Sequence, residues 1–161
     1  MYQTILVPLD GSRRAEAILS HAELIAKQNN AKVIFLKVED EPLMLERDEV
    51  IDIARYHQLF EKQKELALNY LKGLQTDFSK KDINVEISLL YGPVVKSILK
   101  TAADSGSDLI AMATHGWSGL ARASYGSVAA GVLQAAEIPI LLIRSGNEPM
   151  AQISHSPFTS I

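Results

Sequence analysis

The stretch T-I-L-V-P-L-D-G-S, Thr4–Ser12, decides the class of fold. Its first six residues form a short apolar run rich in β-branched side chains, and Asp10-Gly11-Ser12 closes it, which predicts a buried strand emptying into a turn. Outward from there, apolar residues recur at three- and four-residue spacing from Ala15 through Ile18, Leu19, Ala22, Ile25 and Ala26, a helix stopped by Asn29-Asn30. K-V-I-F-L-K-V at Lys32–Val38 predicts a second strand, and the acidic segment containing Pro42 reads as a loop. A long helix from Ile51 to Leu74 follows, then a strand at Asn84–Leu90 and a helix opened by Gly92-Pro93 with proline at its first position. Asp108–Thr114 predicts a fourth strand, Ser127–Ala136 an apolar-faced helix and Ile138–Arg144 a fifth strand. Strands and helices strictly alternate, and the strands are continuously apolar, so the sheet is parallel and covered on both faces. The expected fold is α/β: a doubly wound, Rossmann-like five-stranded parallel sheet with helices on both faces. Residues 1–146 form this domain, and 147–161, without periodicity and carrying Pro149 and Pro157, form a C-terminal tail.

Composition narrows the function. A chain of 161 residues, 47% apolar and 22% charged, holds one core of ordinary soluble type. The formal charge of -3 provides no broad basic field for nucleic-acid phosphates, so no nucleic-acid partner is expected. Cysteine is absent, which excludes disulfides, thiolate nucleophiles and cysteine zinc sites and fits a cytoplasmic protein. No basic segment precedes the first apolar run, which breaks at Pro8 and Asp10, so neither a signal peptide nor a membrane association is expected.

In doubly wound sheets ligands bind beyond the carboxyl ends of the strands, where the chain reverses its direction of winding. The first strand ends in Pro8-Leu9-Asp10-Gly11-Ser12 and the fourth in Met112-Ala113-Thr114-His115-Gly116, followed by nine residues and then Gly126-Ser127 at the start of a helix. Glycines 116, 119 and 126 let the backbone approach a ligand closely. The amides of Gly126, Ser127 and Val128 at a helix N-terminus suit phosphate oxygens. Asp10 is suited either to accept hydrogen bonds from ribose hydroxyls or to cap the turn and first helix. His115 either faces phosphates or bonds within the loop, and Ser127 either donates to phosphate or caps its helix.

I-L-V-P-L-D-G-S at Ile5–Ser12, D-L-I-A-M-A-T-H-G-W-S-G-L at Asp108–Leu120, Y-G-S-V-A at Tyr125–Ala129 and I-P-I-L-L-I-R at Ile138–Arg144 together resemble the universal stress protein family. Its ATP-binding branch carries Gly, two residues, Gly, nine residues, then Gly followed by Ser or Thr. This chain has Ala113 in place of the first glycine, then Gly116 and Gly126-Ser127 at the matching spacing. The resemblance implies ribose contact for Asp10 beside Pro8 and Leu9, adenine contact through the Val38 backbone and a base-side wall at Met112. It puts Ala113 beside the ribose and phosphates, and His115, Gly116, Gly126, Ser127 and Val128 on the phosphate side. It further implies ATP as ligand, with AMP or ADP as less phosphorylated alternatives and Mg held through the phosphates, and a homodimer formed along the last strand.

The expected function is an adenine-nucleotide-binding, stress-response sensor or regulatory dimer. No Gly-x-x-x-x-Gly-Lys-Ser/Thr loop is present, so catalysis extends at most to slow ATP hydrolysis or autophosphorylation at Ser127 or Thr114. The competing reading is a nucleotide-independent dimeric interaction module on the same fold, motivated by the extra methyl of Ala113.

Overall fold

The structure, a computed structural model, describes residues 1–40, 53–115 and 126–145. Its strands are β1 (Thr4–Pro8), β2 (Lys32–Glu39), β3 (Val85–Tyr91), β4 (Leu109–His115) and β5 (Ile140–Ser145). The helices between them are α1 (Arg13–Glu16), α2 (Leu19–Asn29), α3 (Ile53–Ser79), α4 (Val94–Asp104) and α5 (Ser127–Ala135). All neighbouring strands pair in parallel, in the order β3-β2-β1-β4-β5. The chain therefore winds one way from β1 to β3, then crosses back over the sheet to β4 and winds the other way.

Each sheet face carries its own core. Side chains alternate along a strand, so Val7, Phe35 and Ala111 point to one face, where they meet Ile18 and Ala22 near α2 and Leu71 and Phe78 of α3. Phe35 and Phe78 contact edge to face, with ring centroids 4.9 Å apart. Leu6, Leu36 and Met112 point to the opposite face, against Ile98 of α4 and Val132 of α5.

Local chemistry moves several boundaries from those expected. The single helix read from Ala15 is broken. Ser12 caps a short α1 by accepting from the Ala15 N–H, and the Ala17 and Ile18 amides then bond three residues back, to Arg14 and Ala15, a tight turn that joins α1 to α2. Asn30 ends α2 in the left-handed conformation, as the asparagine pair predicts. Helix α3 runs past Leu74 to Ser79 because buried Phe78, one turn on, anchors a further turn that its polar neighbours disguise. Pro93 occupies the cap of α4, one place earlier than expected. Pro139 has no N–H to pair, although its carbonyl accepts from the Ile110 amide at 3.0 Å, and β5 starts at Ile140. The loop expected around Pro42, the expected helix start at Ile51, the 116–125 segment and the 147–161 tail lie outside the described residues.

The pitch of α5 is set by α4. A Cβ added at Gly131 would lie 2.8 Å from Cγ2 of Val95, whose branched side chain cannot easily swing away. Gly131→Ala is expected to lower unfolding stability by about 1 kcal/mol, since overpacking costs ~1–3 kcal/mol against a helix-propensity gain of about 1. In a Val95→Ala background the same substitution should instead raise stability by about 0.5–1 kcal/mol. Urea unfolding of the four proteins reads the change of sign.

Candidate functional site

The cleft lies where the winding reverses, at the carboxyl ends of β1 and β4, and encloses about 210 Å³. From β1 and its turn come Pro8, Leu9 and Asp10. Leu9 is fixed by its amide, which donates to the Leu36 carbonyl at 2.8 Å. Asp10 caps the turn, since Oδ1 accepts from the Ser12 N–H at 2.8 Å, while the cap of the first helix is Ser12. Partial burial works to raise its pKa, but hydrogen bonds from Ser12 and the charge of Lys37 outweigh this and hold the carboxyl below its usual value. Asp10 is thus an anion over the whole neutral range, at the rim of the cleft.

Strand β2 outruns β1. Its pairing with β1 ends at Pro8 and Leu36, whereas its pairing with β3 continues to Glu39 and Tyr91. Successive residues of a strand turn their peptide groups to opposite edges. The Leu36 carbonyl faces β1, so the Val38 N–H and C=O face the same way, at an edge where β1 has ended. The Val38 side chain also lines the cleft.

From β4 come Met112, buried in the second core, and Ala113, which borders the cleft while its side chain packs against the first core. His115 closes β4 opposite Ser145. Gly116 falls outside the described residues. Helix α5 contributes Gly126, Ser127 and Val128. Gly126 is the cap residue and Ser127 the first helical one, so Ser127 is not the cap. The first intrahelical bond is from the Ala130 amide to the Gly126 carbonyl, which leaves the Ser127, Val128 and Ala129 amides at the helix mouth without intrahelical acceptors.

Several lining residues carry no signal of a site in the sequence. Leu36, Val94 and Ile98 extend the apolar wall around Val38 and Met112, and Ala15 and Ala129 add small side chains. Their spacing marks them as core-facing, which they also are. Thr114, read from the sequence only as a phosphorylatable hydroxyl, has a structural role that the sequence does not show. It is 4% exposed, its Oγ1 accepts from the Gly126 amide at 3.3 Å, and its carbonyl accepts from the Ser145 hydroxyl at 2.8 Å. One buried threonine thus ties β4 to the start of α5 and the end of β5. The cleft combines an apolar wall, a strand edge offering one N–H and one C=O, a carboxylate and a helix mouth rich in N–H donors. Chemically it suits a flat apolar group bearing polar edges and an anionic tail.

Comparison with known proteins agrees with this architecture. The sequence pattern of the family described as "Universal stress protein family" matches residues 1–144. Universal stress protein MJ0577 of Methanocaldococcus jannaschii is 29% identical over 158 residues, spanning 91% of this chain and 98% of that one. The solved structure of MJ0577 superposes with a TM-score of 0.75 at 28% identity, covering 92% of this chain and 99% of that one. A universal stress protein of Archaeoglobus fulgidus solved in complex with dAMP gives a TM-score of 0.59 at 23% identity over 88% of this chain and 98% of that one. Another, solved in complex with cAMP, gives 0.66 at 22% identity over 90% of this chain and 98% of that one. With its pattern matched from the first strand to the last and the expected doubly wound sheet in place, this chain belongs to the universal stress protein family.

Proposed function

We propose that the cleft binds an adenine nucleotide, ATP foremost, and that the protein acts as a nucleotide-dependent sensor or regulator in the cytoplasm. The observation that carries the reading is the convergence of the Val38 peptide edge, Asp10 and the first-turn amides of α5 in one cleft. An adenine against Leu36, Met112 and Ile98 would find a donor and an acceptor at Val38. A ribose would meet Asp10, and phosphates would meet the Ser127, Val128 and Ala129 amides and the Ser127 hydroxyl. A charge-assisted hydrogen bond contributes about 1.5–3 kcal/mol and micromolar affinity requires about 8, so a few such bonds with burial of the base suffice. Related proteins solved with dAMP and cAMP support this choice of ligand class.

Magnesium would enter with the phosphates, since among the described residues no three His, Asp or Glu side chains converge as ligands. Of the two hydroxyls considered for autophosphorylation, Thr114 is buried and engaged, while Ser127 is exposed. The packing of the Ala113 methyl against the first core favours nucleotide binding over the interaction-module reading. No described helix is long and apolar enough to cross a membrane.

We further propose a homodimer along β5. It is an edge strand, and with the Pro139 carbonyl turned to β4, the peptide groups of Ile140, Leu142 and Arg144 turn outward.

Mass spectrometry of the small molecules released from freshly purified protein should find adenine nucleotide, and calorimetry with ATP should give a saturable signal. Neither heat nor a rise in melting temperature at saturating ATP would refute the proposal. Asp10→Ala should weaken ATP about tenfold, the loss of roughly one good hydrogen bond, and leave inorganic triphosphate nearly unaffected. Leu142→Pro removes one outward N–H and should yield monomers in sedimentation, whereas Leu142→Ala, which keeps that N–H, should remain dimeric.

A further inference from the structure

The cleft has no cation in its described lining. Asp10 is the one charged residue there, and it is a carboxylate. A second cavity, about 550 Å³, lies across the Asp10-Gly11 turn, between α3 and the ends of β2 and β3, and the Lys37 that lines it is committed to Glu39. The cations placed to serve the cleft are Arg13 and Arg14, which follow the Ser12 cap in α1. This short helix reaches the cleft through Ala15, which shares the margin with Ala113 of β4, and both alanines pack against the first core. Helix α1 thus stands beside the carboxyl end of β4, where Thr114 meets the Gly126 amide at the start of α5.

Both arginines are exposed, and among the described residues neither makes a hydrogen bond or an ion pair. The lysines behave differently: Lys27, Lys32, Lys37, Lys81 and Lys100 each meet a carboxylate. Glu16, three residues on from Arg13, acts on the Tyr70 hydroxyl instead. Adjacent like charges repel, so two unpaired guanidinium groups side by side carry a cost that a bound polyanion would offset.

A nucleoside monophosphate needs a single phosphate patch, and the Ser127, Val128 and Ala129 amides supply one. Each further phosphate brings negative charge that neutral amides do not balance and that Asp10 opposes. Guanidinium answers both needs, being always charged and shaped to hold phosphate oxygens two at a time. We propose that Arg13 and Arg14 determine the length of phosphate chain the cleft selects: they hold the distal phosphates and make the protein prefer a nucleoside triphosphate to a monophosphate. The inference rests on the nucleotide reading and adds to it a preference among nucleotides. The Ser12 cap fixes α1 at the margin of the cleft, and the long arginine side chains span from there.

ATP and AMP are titrated by calorimetry, at fixed magnesium and pH, into the full chain and its variants. The wild type should bind ATP at least about tenfold more tightly than AMP. Arg13→Gln/Arg14→Gln should weaken ATP about tenfold or more and AMP less than about threefold, the loss of one or two charge-assisted hydrogen bonds. Arg13→Lys/Arg14→Lys keeps the charge without the planar fork and should lose less for ATP than the glutamine pair. Lys72→Gln/Lys80→Gln, which removes two exposed charges from the far end of α3, should leave the ratio of ATP to AMP affinity unchanged. The melting temperature of the unliganded glutamine pair should match the wild type, because neither side chain is engaged. Should that pair not fold, the single variants Arg13→Gln and Arg14→Gln decide, each with a smaller loss confined to ATP. Equal affinity of the wild type for the two nucleotides, equal losses for both in the glutamine pair, wild-type affinities there, or the same loss of ATP in the lysine control overturns the inference and leaves the nucleotide reading standing. Failure of ATP and AMP alike to bind the wild type removes both.

Discussion

Everything in this molecule follows from one strand that has no wet side. Ile5, Leu6 and Val7 are consecutive in β1 and wholly buried, and consecutive side chains in a strand point to opposite faces. Burying such a side chain contributes about 1.5–3 kcal/mol, so leaving either face of β1 open would forfeit a sizeable part of a stability that seldom exceeds ~15 kcal/mol. Helices must therefore cover both faces. Because crossover connections between parallel strands are right-handed, covering both faces forces the chain to wind outward from β1 in two directions. The gap at the carboxyl ends of β1 and β4 is a geometric by-product of that reversal, and the protein places its polar groups around it.

The turn after β1 partitions the space above the sheet. Gly11 has a φ of +87°, a conformation that costs most residues energy, and this lets the chain leave β1 sharply enough for Asp10 to border one cavity and Gly11 the other. Lys37 stands close enough to act on Asp10 while pairing with Glu39, so the electrostatics of the two cavities are linked through a single ammonium. The α4 and α5 side is lined chiefly by aliphatic and small side chains, and the α3 side by aromatic and charged ones.

The sequence announces the sheet almost completely, because buried parallel strands are short continuous apolar runs and helices carry apolar residues at a different period. It also marks the ends of β1 and β4 and the start of α5, since Asp-Gly-Ser and Gly-Ser signals punctuate those periods. What it hides has a common physical cause. Leu36 and Ile98 serve core and cleft at once, and a single apolar letter cannot show two duties. The edge peptide of Val38 depends on β2 outlasting β1, a property of register between strands far apart in the chain. The break between α1 and α2 and the extension of α3 to Ser79 are local competitions, won by the Ser12 cap and by buried Phe78 over the average pattern. Tyr70 and Tyr91 share a cavity although twenty-one positions separate them in sequence, and only the packing of α3 on the sheet unites them.

The contact between Thr114 and the Gly126 amide has a consequence for how α5 is seated. The Ser127, Val128 and Ala129 amides lack intrahelical acceptors, but Ser127 is exposed and Val128 half-buried, so this helix mouth is open to water. Thr114 accepts from the Gly126 amide, immediately before these three, at 3.3 Å. This one side chain rivets the entrance of α5 to the carboxyl end of β4, and the Ser145 hydroxyl extends the tie to β5, so the three elements keep a common register.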